Sequence, residues 1–267
     1  MGEGSASPHP AGRGGPTAAP VSLTALLLIA AGALAGGFVS GLAGFGTGLA
    51  ALGIWLHAVP PAHAASLVVI CSVIAQAQTI RAVWHAVEAR RDGPMVLAGL
   101  LGVPVGIALL GRLDGGSFRL ATGLLLLAFP AWMLLAGGRA GIAWGGRAAD
   151  AAVGFCGGVL GGFAGLSGPL PTMWATLRGW GRDRRRGLFQ TFNLTVLGGA
   201  LLAHAAVGLL TAELGLLALC ALPGTLAGSW LGFRAYRRLS DRRFDYLVLF
   251  LLALSGLVLV RGSLGGG

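Results

Sequence analysis

Eight apolar segments run along the chain, separated by short stretches that contain most of its charged residues. Most of the segments are close to the 20 or so residues that cross the hydrocarbon core of a bilayer. The pattern therefore predicts an all-α polytopic membrane protein. The segments cover residues 21–55, 62–84, 94–111, 117–136, 151–177, 187–210, 213–233 and 245–260.

The first and fifth segments contain glycine-rich stretches. Residues 36–48 read GGFVSGLAGFGTG, and residues 154–171 read GFCGGVLGGFAGLSGPLP. Glycine disfavours a continuous helix by about 1 kcal/mol relative to alanine. We therefore expect each helix to break there, with a new half-helix beginning near Leu49 and near Leu170. Aligned on their glycines, the two stretches share the pattern G-x-x-G-[FL]-[GS]-[TG], which recurs 121 residues later.

The recurrence divides the chain into two halves of four segments, each opening with a glycine-broken segment. Gly102-x3-Gly106 in the third segment also matches Gly224-x3-Gly228 in the seventh. Glycines at this spacing are typical of helix–helix contact faces in membranes. The predicted organisation is a disordered N-terminal tail (1–20), a first membrane repeat (21–136), a linker (137–150), a second membrane repeat (151–262) and a C-terminal tail (263–267).

The arginines indicate how the segments cross the bilayer. If all eight segments crossed, the loops on the two sides would contain 12 and 7 arginines. If the first and fifth segments are re-entrant hairpins, the counts become 15 and 4. The positive-inside rule favours the second arrangement, with the arginine-rich side in the cytoplasm and the protein in the inner (cytoplasmic) membrane. Each half then has one hairpin and three crossings, which makes the repeats inverted. A tilted, discontinuous spanning helix is the alternative for each hairpin.

Composition excludes several other classes of protein. The chain is 55% hydrophobic and 10% charged, with a mean hydropathy of +0.80, whereas soluble domains are about 25% charged. All 19 basic residues are arginines between apolar runs, so the net charge of +10 does not indicate nucleic-acid binding. The chain contains no H-E-x-x-H, G-x-S-x-G or C-x-x-C motif. We therefore expect no enzymatic activity, no metal and no cofactor.

The breaks themselves are the predicted substrate site. A helix that begins after a break presents unpaired N–H groups and a positive partial charge, which suit an anion. Two such N-termini near the midplane could hold a small oxyanion without a buried lysine or arginine. Packing glycines and ordinary interhelical hydrogen bonds are the alternative explanation. The predicted binding residues, taken from the breaks and from the second and sixth segments, are Gly44, Phe45, Gly46, Thr47, Gly48, Gly165, Ser167, Gly168, Pro169, Ser72, Gln76, Gln190 and Asn193.

Charged and titratable side chains are scarce inside the segments. The acidic residues fall at segment ends or in loops, which leaves His204 as the side chain that we nominate for proton coupling. Arg178 and Arg186 follow the second break. A topology signal is the stronger explanation for them, and attraction of anions at the cytoplasmic mouth is the alternative.

The two glycine elements and the four-plus-four layout resemble the TauE/SafE sulfite exporter family over roughly residues 22–262. The resemblance implies a secondary transporter that exports a small sulfur oxyanion, such as sulfite or an organosulfonate. Its partners would be that anion and the lipid bilayer, and the sequence leaves a homodimer open. Where members of the family often have a run of glycines after the break, this chain has Gly46-Thr47-Gly48 and Ser167-Gly168-Pro169, which leaves a cargo other than sulfite open. A small carboxylate cargo and a non-transporting membrane scaffold are the alternatives.

Overall fold

The computed structural model describes residues 22–80, 89–136, 145–236 and 241–264, and this part of the chain is helical throughout apart from short connections. The predicted all-α class is confirmed for these residues. The helices are α1 (Leu23–Ala43), α2 (Thr47–Trp55), α3 (Pro61–Thr79), α4 (Ala89–Leu110), α5 (Gly115–Ala136), α6 (Gly146–Ala164), α7 (Pro169–Leu177), α8 (Arg182–Ala206), α9 (Ala212–Tyr236) and α10 (Asp241–Leu264).

Five of the described helices are long and apolar enough to cross a membrane: α1, α3, α4, α8 and α9. Leucines on their outer surfaces are exposed, among them Leu101 on α4 and Leu202 on α8. Large apolar surfaces of this kind are unfavourable in water and expected in contact with lipid. These features support the predicted multi-pass membrane protein.

Both glycine-rich segments are broken into two helices, as the sequence predicts. α1 ends at Ala43, and Gly44 then adopts the left-handed conformation (φ 77°) while its N–H donates to the Ser40 carbonyl. Gly46 is also left-handed (φ 95°), and α2 begins at the next residue. Only glycine adopts this conformation without strain, so the sequence fixes the position of the break. The second break, between α6 and α7, contains left-handed Gly165 in the same way.

The half-helices start close to the predicted positions, at Thr47 and Pro169. Several helices extend beyond the predicted apolar segments. α6 begins at Gly146 inside the predicted linker, α8 begins at Arg182 rather than 187, and α10 extends from Asp241 into the predicted tail. The first turns of these helices are polar, and an apolar pattern cannot show them. The predicted N-terminal tail and residues 137–144 of the linker lie outside the described residues.

Each break is the tip of a helical hairpin, because the short helix runs back along the long one. The indole N–H of Trp55, at the end of α2, donates to the Ile29 carbonyl of α1 at 3.0 Å. At the start of α2, a Cβ atom placed on Gly36 would lie 2.7 Å from the Thr47 carbonyl oxygen. α2 therefore runs antiparallel to α1.

α6 and α7 form the second hairpin. Near its open end, the indole N–H of Trp174 donates to the Asp150 carboxylate at 2.6 Å. Near its tip, a Cβ atom on Gly157 would lie 3.1 Å from the Ser167 carbonyl oxygen. The chain thus reverses direction at Gly165–Gly168, as it does at Gly44–Gly46.

The hairpins are packed against helices of the opposite half of the chain. α1 packs most extensively against α9, and α6 against α4. A Cβ atom on Gly37 would lie 2.5 Å from the Thr225 carbonyl oxygen, and one on Gly224 would lie 2.9 Å from that of Ala30. The backbones approach this closely because glycine has no side chain, which confirms the predicted contact faces. The other glycines whose Cβ atoms would collide with backbone in these two interfaces are Gly41, Gly102, Gly106, Gly154, Gly158, Gly162, Gly228 and Gly232.

Candidate anion site at the two helix breaks

The tips of the two hairpins contact each other inside the bundle. A Cβ atom placed on Gly168 would lie 2.6 Å from the Phe45 ring, and one on Gly48 would lie 2.9 Å from the Leu166 side chain. Both tips are buried, with Ser167 only 1% exposed. The structure therefore brings together the residues of the two breaks, which the sequence separates by 121 positions.

α3 lies against both tips. The Val68 side chain would collide with a Cβ atom on Gly165 and would lie 2.8 Å from one on Gly48. One turn or more further along the same helix, Ser72 and Gln76 are also buried. The predicted site residues of the second segment thus lie on the helix that touches both breaks.

Asn193 of α8 connects the two breaks through hydrogen bonds. Its amide N–H donates to the Gly44 carbonyl at 3.4 Å, and its amide oxygen accepts from the Ser167 hydroxyl. The amide of Gln76 donates to the same Gly44 carbonyl at 2.9 Å. A carbonyl left unpaired by the end of α1 is therefore satisfied by one amide from α3 and one from α8.

Hydrogen bonds orient the amides of Gln190 and of Gln76. The hydroxyl of Thr79 donates to the Ala75 carbonyl at 3.0 Å, so it accepts from the Gln190 amide N–H. Gln76 must likewise present N–H to a carbonyl. The amide oxygens of both glutamines are consequently buried acceptors without a hydrogen-bond partner among the described residues, as is the Thr47 hydroxyl oxygen. Such atoms are uncommon in folded proteins.

A buried arginine caps the first hairpin, although the anion site expected from the sequence does not require one. The Arg186 guanidinium donates to the Gly41 and Leu42 carbonyls at the end of α1, at 2.9 Å each. It also lies 3.8 Å from the centre of the Tyr236 ring, and the residue is 3% exposed. Arg186 is therefore an internal residue and does not lie at the mouth of the protein. It sits four positions before Gln190, hence on the same helical face, a spacing from which it could have been found.

A histidine caps the second hairpin at the aligned position. The ring Nε2 of His204 lies 3.3 Å from the Gly162 carbonyl, and Nδ1 lies 2.8 Å from the Ser66 hydroxyl. Because a carbonyl can only accept, Nε2 carries the hydrogen in this arrangement. Gly162 is the residue that aligns with Gly41 in the glycine motif. The aligned glycine carbonyl is thus capped by an arginine in the first hairpin and by a histidine in the second.

The two half-helix N-termini are not equivalent as hydrogen-bond donors. α7 begins at Pro169 and has Pro171 as its third residue, so Leu170 is the only one of its first three residues with an N–H group. α2 has an N–H group on each of its first three residues, and that of Leu49 donates to the Gly46 carbonyl. The first break therefore offers more N–H donors than the second.

Comparison with known proteins identifies the family. A family model described as "Sulfite exporter TauE/SafE" matches residues 28–259. The chain belongs to this family. The match spans both hairpins and the helices that pack on them, and it confirms the resemblance seen in the glycine motifs. Comparisons with curated proteins and with solved structures find no match. Membership of the TauE/SafE family supports a membrane exporter of an anion.

Proposed function

We propose that the protein is a secondary transporter that exports a small sulfur oxyanion, such as sulfite or an organosulfonate, across the inner membrane. The observation that carries the proposal is the meeting of two buried hairpin tips, joined by Asn193, in a TauE/SafE family member. Half-helix N-termini at such tips favour an anion. Movement of one half of the protein against the other would expose the anion to each side of the membrane in turn.

The proposal includes an inverted arrangement of the two halves. Each half would contribute one re-entrant hairpin and three crossing helices, so that the two hairpins enter the membrane from opposite sides and meet near its centre. The matched packing of α1 on α9 and of α6 on α4 supports this arrangement. The arginine-rich side would face the cytoplasm.

Proton coupling by His204 is part of the proposal. The imidazole is fully buried between α3, α6 and α8, and it caps the last turn of α6 at the tip of the second hairpin. A buried histidine that gains a proton gains a charge, and the carbonyl and hydroxyl beside it do not titrate. A change in its protonation would therefore alter the electrostatics of the second hairpin.

Calorimetry on the purified protein tests the proposed site. Sulfite, methanesulfonate, sulfate, acetate and chloride are titrated into the parent protein and into Ser167→Ala and Asn193→Ala. We expect a sulfur oxyanion to bind, with both substitutions weakening it about 5- to 100-fold because each removes a buried hydrogen bond at the tips. Thr195→Ala, an exposed hydroxyl two residues from Asn193, serves as the control.

The other outcomes of this titration decide between the alternatives. Acetate binding in place of the sulfur oxyanions would indicate a carboxylate cargo. No binding of any anion would contradict the site and favour a scaffold. Equal weakening by Thr195→Ala would mean that the effect is not specific to the tips.

A further inference from the structure

We propose that the anion binds at the first break, between α1 and α2, with Arg186 as its counter-charge. We further propose that the amide oxygen of Gln190, which lies near that of Gln76, accepts a hydrogen bond from the substrate. The cargo would then be a monoanion that carries its own O–H group, such as a hydroxy-substituted sulfonate or hydrogensulfite. This inference rests on the proposed function. It places the anion site at one break and restricts the cargo to one class of anion.

The positive charges of the site are concentrated at the first break. Arg186 is permanently charged, and its Cγ would lie 3.5 Å from a Cβ atom on Gly44. The start of α2 adds the N–H groups of Thr47 and Gly48, together with the positive end of the helix dipole. At the second break the prolines of α7 remove N–H groups, and the Ser167 hydroxyl is already donated to Asn193.

Two acceptor atoms lie in the same neighbourhood. Both Gln76 and Gln190 contact Gly44. A Cβ atom placed on Gly44 would lie 3.5 Å from Gln190 Cγ, and the Gly44 carbonyl accepts a hydrogen bond from the Gln76 amide. The amide oxygens of both glutamines are buried and lack a partner among the described residues. The Gln76 amide cannot be exchanged, because the Gly44 carbonyl requires its N–H, and the Gln190 amide places its N–H against the Thr79 hydroxyl.

These acceptors restrict the chemistry of the substrate. An oxyanion without a hydrogen would leave both oxygens unsatisfied, at a cost that buried polar groups normally avoid. A substrate hydroxyl can satisfy one of them while its charged group faces Arg186 and the N–H groups of α2. A site that binds a hydroxyl in this way rejects analogues in which the hydroxyl is missing.

A matched pair of sulfonates tests the inference. 2-Hydroxyethanesulfonate and propane-1-sulfonate have equal charge and similar shape, and differ by a hydroxyl in place of a methyl group. We expect calorimetry on the purified full chain to show at least about tenfold tighter binding of the hydroxy compound. Gln190→Met should remove most of this preference, because it replaces an acceptor with an apolar group of similar size.

Substitution of Arg186 tests the counter-charge. Arg186→Gln should weaken both sulfonates by about tenfold or more, whereas Arg186→Lys should retain most of the affinity. Arg119→Gln is the matched control, because Arg119 caps the Leu56 carbonyl (2.6 Å) at the opposite end of α2. If Arg186 only caps a helix, affinity will be unchanged in Arg186→Gln, or will fall as much in Arg119→Gln.

Three outcomes separate this inference from the proposed function. If the parent protein binds no anion, the proposed function itself fails. If it binds both sulfonates equally, or if Arg186→Gln binds as the parent does, only the present inference is overturned.

If Arg186→Gln does not fold, Gln190→Glu replaces it. This substitution places a carboxylate one turn from Arg186 and should abolish sulfonate binding, and unchanged binding would overturn the assignment.

Discussion

Single side chains make the two hairpins chemically different. The carbonyls of Gly41 and Gly162 are aligned in the glycine motif, yet the first is capped by Arg186 and the second by His204. A guanidinium stays charged throughout the physiological pH range, whereas an imidazole can change its charge near neutral pH. We therefore expect the second hairpin to respond to pH and the first to be insensitive to it.

Replacing His204 tests this difference. Gln can still donate to the Gly162 carbonyl, but it cannot take up a proton. If His204 carries the coupling proton, the transport of sulfite into proteoliposomes by His204→Gln should no longer respond to an imposed pH gradient. His63→Gln, one turn before Ser66 on α3, is the control and should keep the response. A full response in His204→Gln would exclude His204 as the coupling residue.

Pairs of helices, rather than single contacts, hold the hairpins in place. α1 with α9 and α6 with α4 approach so closely that glycine backbones lie against carbonyl oxygens of the partner helix. Without a hydrophobic driving force between helices in lipid, this close packing is the main source of stability. The glycines of α9 are therefore of two kinds, those inside the interface and those outside it.

A pair of substitutions on α9 separates these kinds. A Cβ atom on Gly228 would collide with the Leu34 carbonyl of α1, whereas Gly215 has no atom within 4 Å of the equivalent position. We expect Gly228→Ala to lower the free energy of unfolding by about 1–3 kcal/mol through overpacking. Gly215→Ala should be neutral or stabilising by up to about 1 kcal/mol, because alanine is the better helix former. Thermal unfolding in detergent measures both, and similar melting temperatures would contradict the interface.

At the scale of the whole molecule, the two hairpins would enter the membrane from opposite faces and meet at their tips. Pro60 follows the first hairpin and Gly181 follows the second, and both residues are exposed. In the proposed inverted arrangement these two positions lie on opposite sides of the membrane. In an arrangement of eight simple crossings both positions would lie on the same side.

Cysteine labelling tests the arrangement. Cys71, Cys156 and Cys220 are free thiols and are first replaced by serine. Pro60→Cys should then react with a membrane-impermeant maleimide added outside the cell, and Gly181→Cys only after the membrane is opened. Labelling of both from one side would contradict the inverted arrangement. Gly181 is preferable to Arg184 as a labelling position, because Arg184 pairs with buried Asp92 at 2.7 Å.

Local features of the fold could be predicted from the sequence, whereas tertiary ones could not. The breaks and the half-helix starts follow from glycine and proline, whose backbone preferences are intrinsic. Asn193 and Ser167 could be nominated as polar residues in apolar segments, but not as partners of each other. The burial of Arg186 was missed because it stands in a run of arginines, where a topology signal explains the pattern equally well. The four-residue spacing from Gln190 hints at its position, and the packing of α8 on the first hairpin shows its burial.

The crosswise pairing of helices also constrains how the chain is made. Ser229, against which Gly41 packs, lies 188 residues further along the chain. At a translation rate of about 5–20 residues per second, the ribosome needs roughly 10 to 40 s to reach it. During that time the glycine-lined face of α1 is already in the membrane without its partner. A nascent chain that ends before α9 should therefore be vulnerable to membrane proteases, and co-expression of the missing half should protect it.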